Sequence, residues 1–113
     1  GDGAMWYHLT EIETAVRCGI NTVTVVNNNH SLNQEKGINE SIYGGRSQGS
    51  DDLWIFPEYD FSAMAKSFGG LGLTVNHPSE FSGALEQALE SGRPSVIDVK
   101  ADIESITPDA WKP

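Results

Sequence analysis

Apolar positions along the chain fall into two spacings, and the switches between them mark its elements. Leu9, Ile12, Val16 and Gly19 recur at steps of three and four, the spacing of one buried helix face. They predict a helix that follows the small-residue turn Gly1-Asp2-Gly3-Ala4 and ends near Gly19. Residues Asn21 to Asn27 are β-branched, short and bounded by Gly19 and a run of asparagines, which predicts a buried strand delivering Asn27, Asn28 and Asn29 at its carboxyl end. From His30 to Pro57 the periodicity disappears among Gly37, Gly44, Gly45 and Gly49. This predicts a long functional or mobile loop over residues 30–57 with a helical turn near Ser31 to Lys36.

Regularity returns after Pro57. Phe61, Met64, Ala65 and Phe68 mark a helix capped near Asp60, and Leu71 to Val75 a strand. Ser79 and Glu80 suit the start of a helix that carries Phe81, Leu85, Ala88 and Leu89 and stops at Gly92. Pro94 opens a strand from Ser95 to Val99, and the tail from Asp102 to Pro113 reads as an extended arm. Helices alternating with strands predict an α/β fold, a three-layer α/β/α arrangement with a mostly parallel sheet, formed as one domain by residues 1–113. A Gly-Asp-Gly turn entering a helix belongs at the carboxyl end of a strand. None precedes Gly1, so the expected fold is a partial one, truncated at its amino end.

Composition narrows the function. Sixteen acidic against seven basic residues give a formal net charge of -9, which opposes a phosphate backbone and argues against a nucleic-acid partner. No stretch approaches the roughly 18 to 20 apolar residues of a membrane helix, and no basic-then-apolar leader is visible, so a cytoplasmic protein is expected. Cys18 is the only cysteine and is expected to be a small core residue.

The candidate chemistry lies at one edge of the predicted sheet. A strand-to-helix turn sets Asp2 at the carboxyl edge beside a helix start, and the strand ending at Asn27 reaches the same edge. Asp2 and either Asn28 or Asn29 are therefore expected to converge. A carboxylate, an amide oxygen and a backbone carbonyl form an all-oxygen set suited to Mg²⁺, which completes its shell with water and phosphate. Apart from histidine, Arg17 is the only basic side chain between Gly1 and Gln34, so a phosphate here would be met by metal and by free N–H groups at Gly3 and Ala4. Gly3 is expected to let backbone approach such a group closely.

Gly1-Asp2-Gly3, 24 residues and then Asn28-Asn29 resemble the thiamine-diphosphate signature of the acetolactate synthase and pyruvate decarboxylase superfamily. The helix from Leu9 to Arg17, the strand after it, the block Asp60 to Gly69, Pro78-Ser-Glu-Phe81 and Arg93 to Val99 are similar to the carboxyl-terminal domain of that family. The resemblance implies thiamine diphosphate and Mg²⁺ as cofactors, with the metal on the Asp2 carboxylate, the Asn29 side chain and the Ser31 backbone carbonyl. It implies diphosphate contacts from the backbone at Gly3 and Ala4, a position usually held by serine, and further contacts from Leu32 and Asn33.

It also implies that no catalytic residue lies in this chain. The glutamate that activates the aminopyrimidine ring comes from a different domain across a dimer interface. The implied whole is a decarboxylase or carboligase (a lyase or transferase) acting on a small-molecule 2-oxo acid, with upstream domains and a homodimeric or homotetrameric assembly; the fragment is expected to be inactive alone. Ser31-Leu-Asn-Gln-Glu-Lys36 stands where many acetolactate synthases carry a Gly-Met-Val-like stretch, so the resemblance leaves the reaction open. His30 is expected to face solvent or to pack in its loop, with no catalytic part. A non-catalytic or regulatory module keeping the fold is one alternative, and a nucleotide-binding Rossmann-like domain another, although Gly1-Asp-Gly-Ala-Met-Trp6 lacks the third glycine of the dinucleotide fingerprint.

Overall fold

A computed structural model describes residues 1–44 and 49–105. In chain order the regular elements are α1 (Asp2–His8), α2 (Glu11–Cys18), β1 (Val23–Asn28), α3 (Lys36–Tyr43), α4 (Phe61–Ser67), β2 (Leu71–Val75), α5 (Phe81–Glu90) and β3 (Ser95–Lys100). The strands form a parallel sheet in the order β1-β3-β2, with Val23 and Leu71 both in register with Ser95. Parallel strands need crossovers, and here helices supply them and cover both faces. Met5, Ile12, Phe61 and Ala65 pack on Val26 and Val96 on one face, while Ala88, Phe81 and Leu85 pack on Val75 and Ile97 on the other. The α/β class and the three layers follow. Central β3 is buried on both faces, as the continuous run Ser95-Val-Ile-Asp98 requires, whereas β1 is an edge among the described residues and leaves Val25 45% exposed.

Several local expectations change. The helical run is broken at Leu9–Thr10, where Ile12 and Glu13 N–H groups bond three residues back, to Leu9 and Thr10 carbonyls. The break lets α1 and α2 each turn an apolar side, Met5 and then Ile12 and Ala15, onto the same core. Gly19 ends α2 in the left-handed conformation at φ 64, as its sequence position predicts. Cys18 is exposed, because the last turn of α2 runs past the sheet and everything from Arg17 to Thr22 lies at the surface. The helix expected from Ser79 begins instead with a 3-10 turn, Pro78–Glu80, tied by the Glu80 carboxylate accepting the Asn76 and His77 N–H groups. Those two bonds hold the Glu80 carboxyl below its ordinary range.

The segment after β1 is more structured than its missing periodicity indicates. It leaves the sheet through a 3-10 turn at Asn33–Glu35, forms α3, and returns through a second such turn at Ser50–Leu53. An antiparallel bridge between Ser31 and Ile55 closes the excursion. Trp54 is its buried anchor, with the Lys36 ammonium 5.6 Å from its ring centre, and Asn39 donates to the Ser50 carbonyl at 2.8 Å. α3 escapes sequence detection because Ile38 and Ile42 point outward and no apolar stripe faces a core. The extended arm expected toward Pro113 lies outside the described residues beyond Ser105.

α4 is fixed at both its start and its flank. The Asp60 carboxylate caps it, accepting the Ala63 N–H at 2.8 Å and the Ser62 hydroxyl at 2.7 Å. The Ser62 bond first, then the Ala63 N–H, hold the Asp60 carboxyl below the usual carboxylate range. A depressed folded-state value contributes stability above the unfolded value that is lost as pH falls through the folded one. Asp60→Ala is therefore expected to cost about 1 kcal/mol near neutral pH. In chemical denaturation the gap from the parent protein is expected to close as pH falls through the carboxylate range; a pH-independent gap would show that the charge contributes nothing.

Candidate functional site

The carboxyl edge of the sheet, the start of α1 and the turn after β1 enclose a cavity of about 730 Å³. Asp2, Gly3 and Ala4 enter it from α1, Asn29 from the end of β1, and Ser31, Leu32 and Asn33 from the turn that follows. All seven residues singled out from the sequence thus line one space. Gln34, Glu35 and Ser105 line it too and carry no sequence signal: the 3-10 turn at Asn33–Glu35 brings in the first two, and the chain leaving β3 the third. The Asn33 amide donates to the Ser105 carbonyl at 2.9 Å and the Lys36 ammonium lies 2.7 Å from Glu104, so the chain beyond β3 is tied to the same rim.

Asp2 is 3% exposed, and its Oδ2 accepts the Ser31 N–H at 3.0 Å. The bond follows from the antiparallel bridge. Leu32 N–H donates to the Trp54 carbonyl at 2.8 Å and Phe56 N–H to the His30 carbonyl at 2.7 Å, which makes Ser31 and Ile55 the non-hydrogen-bonded pair between them. In such a pair both the N–H and the C=O of Ser31 turn away from Ile55, toward the side where Asp2 sits. His30 makes the turn with φ at 59, unusual for a residue with a side chain, and is half-buried with its Nδ1 buried and unpartnered among the described residues. Of the two positions expected for it, facing solvent or packed in its loop, the half-buried ring takes the second.

The two asparagines that sequence chemistry leaves equivalent are separated by their surroundings. Asn28 is 1% exposed, and its amide donates to Asp98 Oδ1 at 2.9 Å and to the Tyr59 carbonyl at 3.0 Å. Asn29 is half-buried on the cavity wall, and its side chain has no hydrogen-bond partner among the described residues.

Gly3 also faces the protein side of the cavity. A Cβ there would meet the Cδ2 methyl of Leu32, which would have to turn aside, with Phe56 Cε2 at 3.8 Å. At the open end of α1 the first intrahelical bond runs from Met5 N–H to the Gly1 carbonyl at 3.0 Å, so the Gly3 and Ala4 N–H groups have no acceptor within the helix.

The donor set fits a hard cation. Among the described residues no cluster of three or more His, Cys, Asp or Glu exists, which leaves no soft or carboxylate-rich metal site. Asp2 Oδ1, the Asn29 amide oxygen and the Ser31 carbonyl oxygen accept no hydrogen bond among the described residues, and neither do the Asn33 and Gln34 amide oxygens or the Glu35 carboxylate on the same lining; the buried Ser31 hydroxyl is likewise unpartnered.

Residues 1–99 match the family model for the thiamine pyrophosphate enzyme C-terminal TPP binding domain. A probable acetolactate synthase of Mycobacterium bovis is 34% identical over 102 residues, covering 90% of this chain and 18% of the relative. Acetolactate synthase isozyme 3 large subunit of Escherichia coli is 30% identical over 105 residues, with the same shares covered. Among solved structures, the thiamine diphosphate-dependent 4-hydroxybenzoylformate decarboxylase of Rhodococcus jostii superposes with a TM-score of 0.77 at 26% identity, over 90% of this chain and 19% of that one. The chain therefore spans under a fifth of the length of these relatives. No helix among the described residues is long and apolar enough to cross a membrane. With a match over nearly its whole length, a parallel α/β sheet in common with a decarboxylase of the class and the sequence signature gathered at one cavity, the chain belongs to the thiamine pyrophosphate enzyme C-terminal TPP-binding domain family.

Proposed function

We propose that residues 1–113 form the diphosphate-holding side of a thiamine-diphosphate site, with Mg²⁺ on the Asp2 carboxylate, the Asn29 amide oxygen and the Ser31 carbonyl oxygen. The charge of the cavity carries this reading. Among the described residues its lining includes Asp2 and Glu35 and no lysine, arginine or histidine, which favours a cation as the partner of a diphosphate here. Mg²⁺ takes few protein ligands and bridges phosphate oxygens, which matches a sparse set of oxygens. The Gly3 and Ala4 N–H groups at the open end of α1 would donate to the diphosphate oxygens, while Leu32 and Asn33 would close the rim.

The rest of the active site is proposed to come from further domains of the same enzyme, a decarboxylase or carboligase acting on 2-oxo acids in the cytoplasm. The relatives named acetolactate synthase and 4-hydroxybenzoylformate decarboxylase support a synthase or decarboxylase reaction. The thiazolium ring of a bound cofactor supplies the nucleophilic and electron-accepting chemistry. This chain anchors the opposite end. Asp2 is held by Ser31, Ala4 leaves room where a hydroxyl usually stands, and no residue here is assigned a proton transfer. The activating glutamate is expected from a different domain across a subunit interface in a homodimer or homotetramer, and the isolated chain is expected to turn over no substrate.

Titration of thiamine diphosphate into the protein by calorimetry tests the reading. Binding is expected with Mg²⁺ and not with EDTA. Equal binding in both would remove the metal from the site. Cofactor binding by the whole enzyme without turnover of any 2-oxo acid would favour a non-catalytic module.

A further inference from the structure

Asp98 is 0% exposed in the middle of the central strand, where a valine or isoleucine would be the ordinary occupant. Its two oxygens are fully used. Oδ1 accepts from the Asn28 amide at 2.9 Å, and Oδ2 accepts the Phe61 N–H at 3.1 Å and lies 3.0 Å from the Lys100 ammonium. The Tyr59 carbonyl accepts from both Asn28 and Lys100 at 3.0 Å, and the Asn28 carbonyl accepts the Ala101 N–H at 2.9 Å. The last residue of β1 is thus tied by side chain and backbone to β3 and to the segment leading into α4. The next residue is Asn29, whose side chain is left without a protein partner.

A buried charge of this kind contributes little net stability compared with apolar packing, and its best-attested use is to fix one arrangement among several. We propose that Asp98 and Asn28 are positioning residues: they clamp the end of β1 so that the Asn29 side chain and the Ser31 backbone meet Asp2 in one geometry before any ligand arrives. The inference rests on the metal reading for what Asn29 and Ser31 do, and on the bonds above for the clamp itself. The two halves can be tested apart.

Asn28→Ala is the informative variant, because it abandons few groups: Asp98 Oδ2 retains Phe61 and Lys100 and the Tyr59 carbonyl retains Lys100, and only Asp98 Oδ1 loses its partner. In the ligand-free protein, NMR hydrogen exchange of the Ser31 amide, which donates to Asp2, is expected to accelerate. The Val26 and Ile97 amides in the sheet are expected to keep their rates. In calorimetry, Mg²⁺-dependent thiamine diphosphate affinity is expected to fall by about 10- to 100-fold, the range for groups that orient metal ligands. Asp98→Asn keeps the shape but sets donor against donor at either Asn28 or Phe61, and the same pattern is expected from it should Asn28→Ala fail to fold. A uniform rise in exchange across the sheet, or unchanged Ser31 exchange with unchanged affinity, would overturn the proposal. Absence of Mg²⁺-dependent binding in the parent protein would overturn the metal reading alone, and the exchange measurement would still decide on the clamp.

Discussion

Asp2→Ala is expected to weaken Mg²⁺-dependent thiamine diphosphate binding by at least about 100-fold, or ~2.7 kcal/mol. The loss has two sources. The variant removes the one carboxylate among the proposed metal oxygens, and it leaves the Ser31 N–H without its acceptor, so the turn carrying the other two oxygens loosens. An unsatisfied buried N–H costs about 1–3 kcal/mol, so alanine alone would confuse a binding defect with a folding defect. Asp2→Asn separates them. Its amide oxygen still accepts from Ser31 while the charge is gone, and thermal unfolding is expected to stay near that of the parent while calorimetric binding is still largely lost. Parent-like affinity in Asp2→Asn would show that the charge of Asp2 is not what holds the cation.

Gly72→Ala is expected to produce the largest change in stability. β2 runs so close to α4 that a Cβ at Gly72 would overlap the Ser62 backbone, including its carbonyl oxygen, and Ser62 is itself held by Thr74 at 2.9 Å and by Asp60. Backbone on a capped helix cannot swing aside as a flexible side chain can. A cost of about 3 kcal/mol is expected, at the upper end for overpacking by one carbon. Against a total stability of ~5–15 kcal/mol, that should move a urea midpoint well below the parent value. An unchanged midpoint would mean that α4 can lift off the sheet without penalty, which the burial of Phe61 and Ala65 argues against.

These two positions also show what was legible from sequence and what was not. Leu71–Val75 reads as a strand because alternating Leu71, Leu73 and Val75 pack on one face, and Asp60 reads as a cap because a carboxylate three residues before an N–H has one obvious use. The close approach at Gly72 is invisible, since a glycine inside a strand has no local signature of what lies above it. Gly3 is a sharper case. The sequence suggests room for a ligand there, and only the packed structure shows Leu32 as a protein neighbour of the same position. Asn28 and Asn29 are chemically identical in sequence, and the buried Asp98 that separates their surroundings comes from a strand 70 positions away. Cys18 and α3 misled for one shared reason: helical periodicity records an apolar face, and neither the overhanging end of α2 nor the outward-facing Ile38 and Ile42 of α3 has a core opposite it. The cavity residues were legible because Gly1-Asp2-Gly3 and Asn28-Asn29, with 24 residues between them, resemble the family's signature, which implies roles for the positions beside them. Gln34, Glu35 and Ser105 were not, because folding alone brings them there.

A crystal structure of the protein grown with Mg²⁺ and thiamine diphosphate places the ion directly. The expected density shows an ion held by a carboxylate oxygen of Asp2, the Asn29 amide oxygen, the Ser31 carbonyl oxygen and the diphosphate, at the roughly 2.1 Å usual for Mg²⁺ and oxygen. Diphosphate bound in this cavity with no ion, or an ion held by Asn28 in place of Asn29, would refute the site as built.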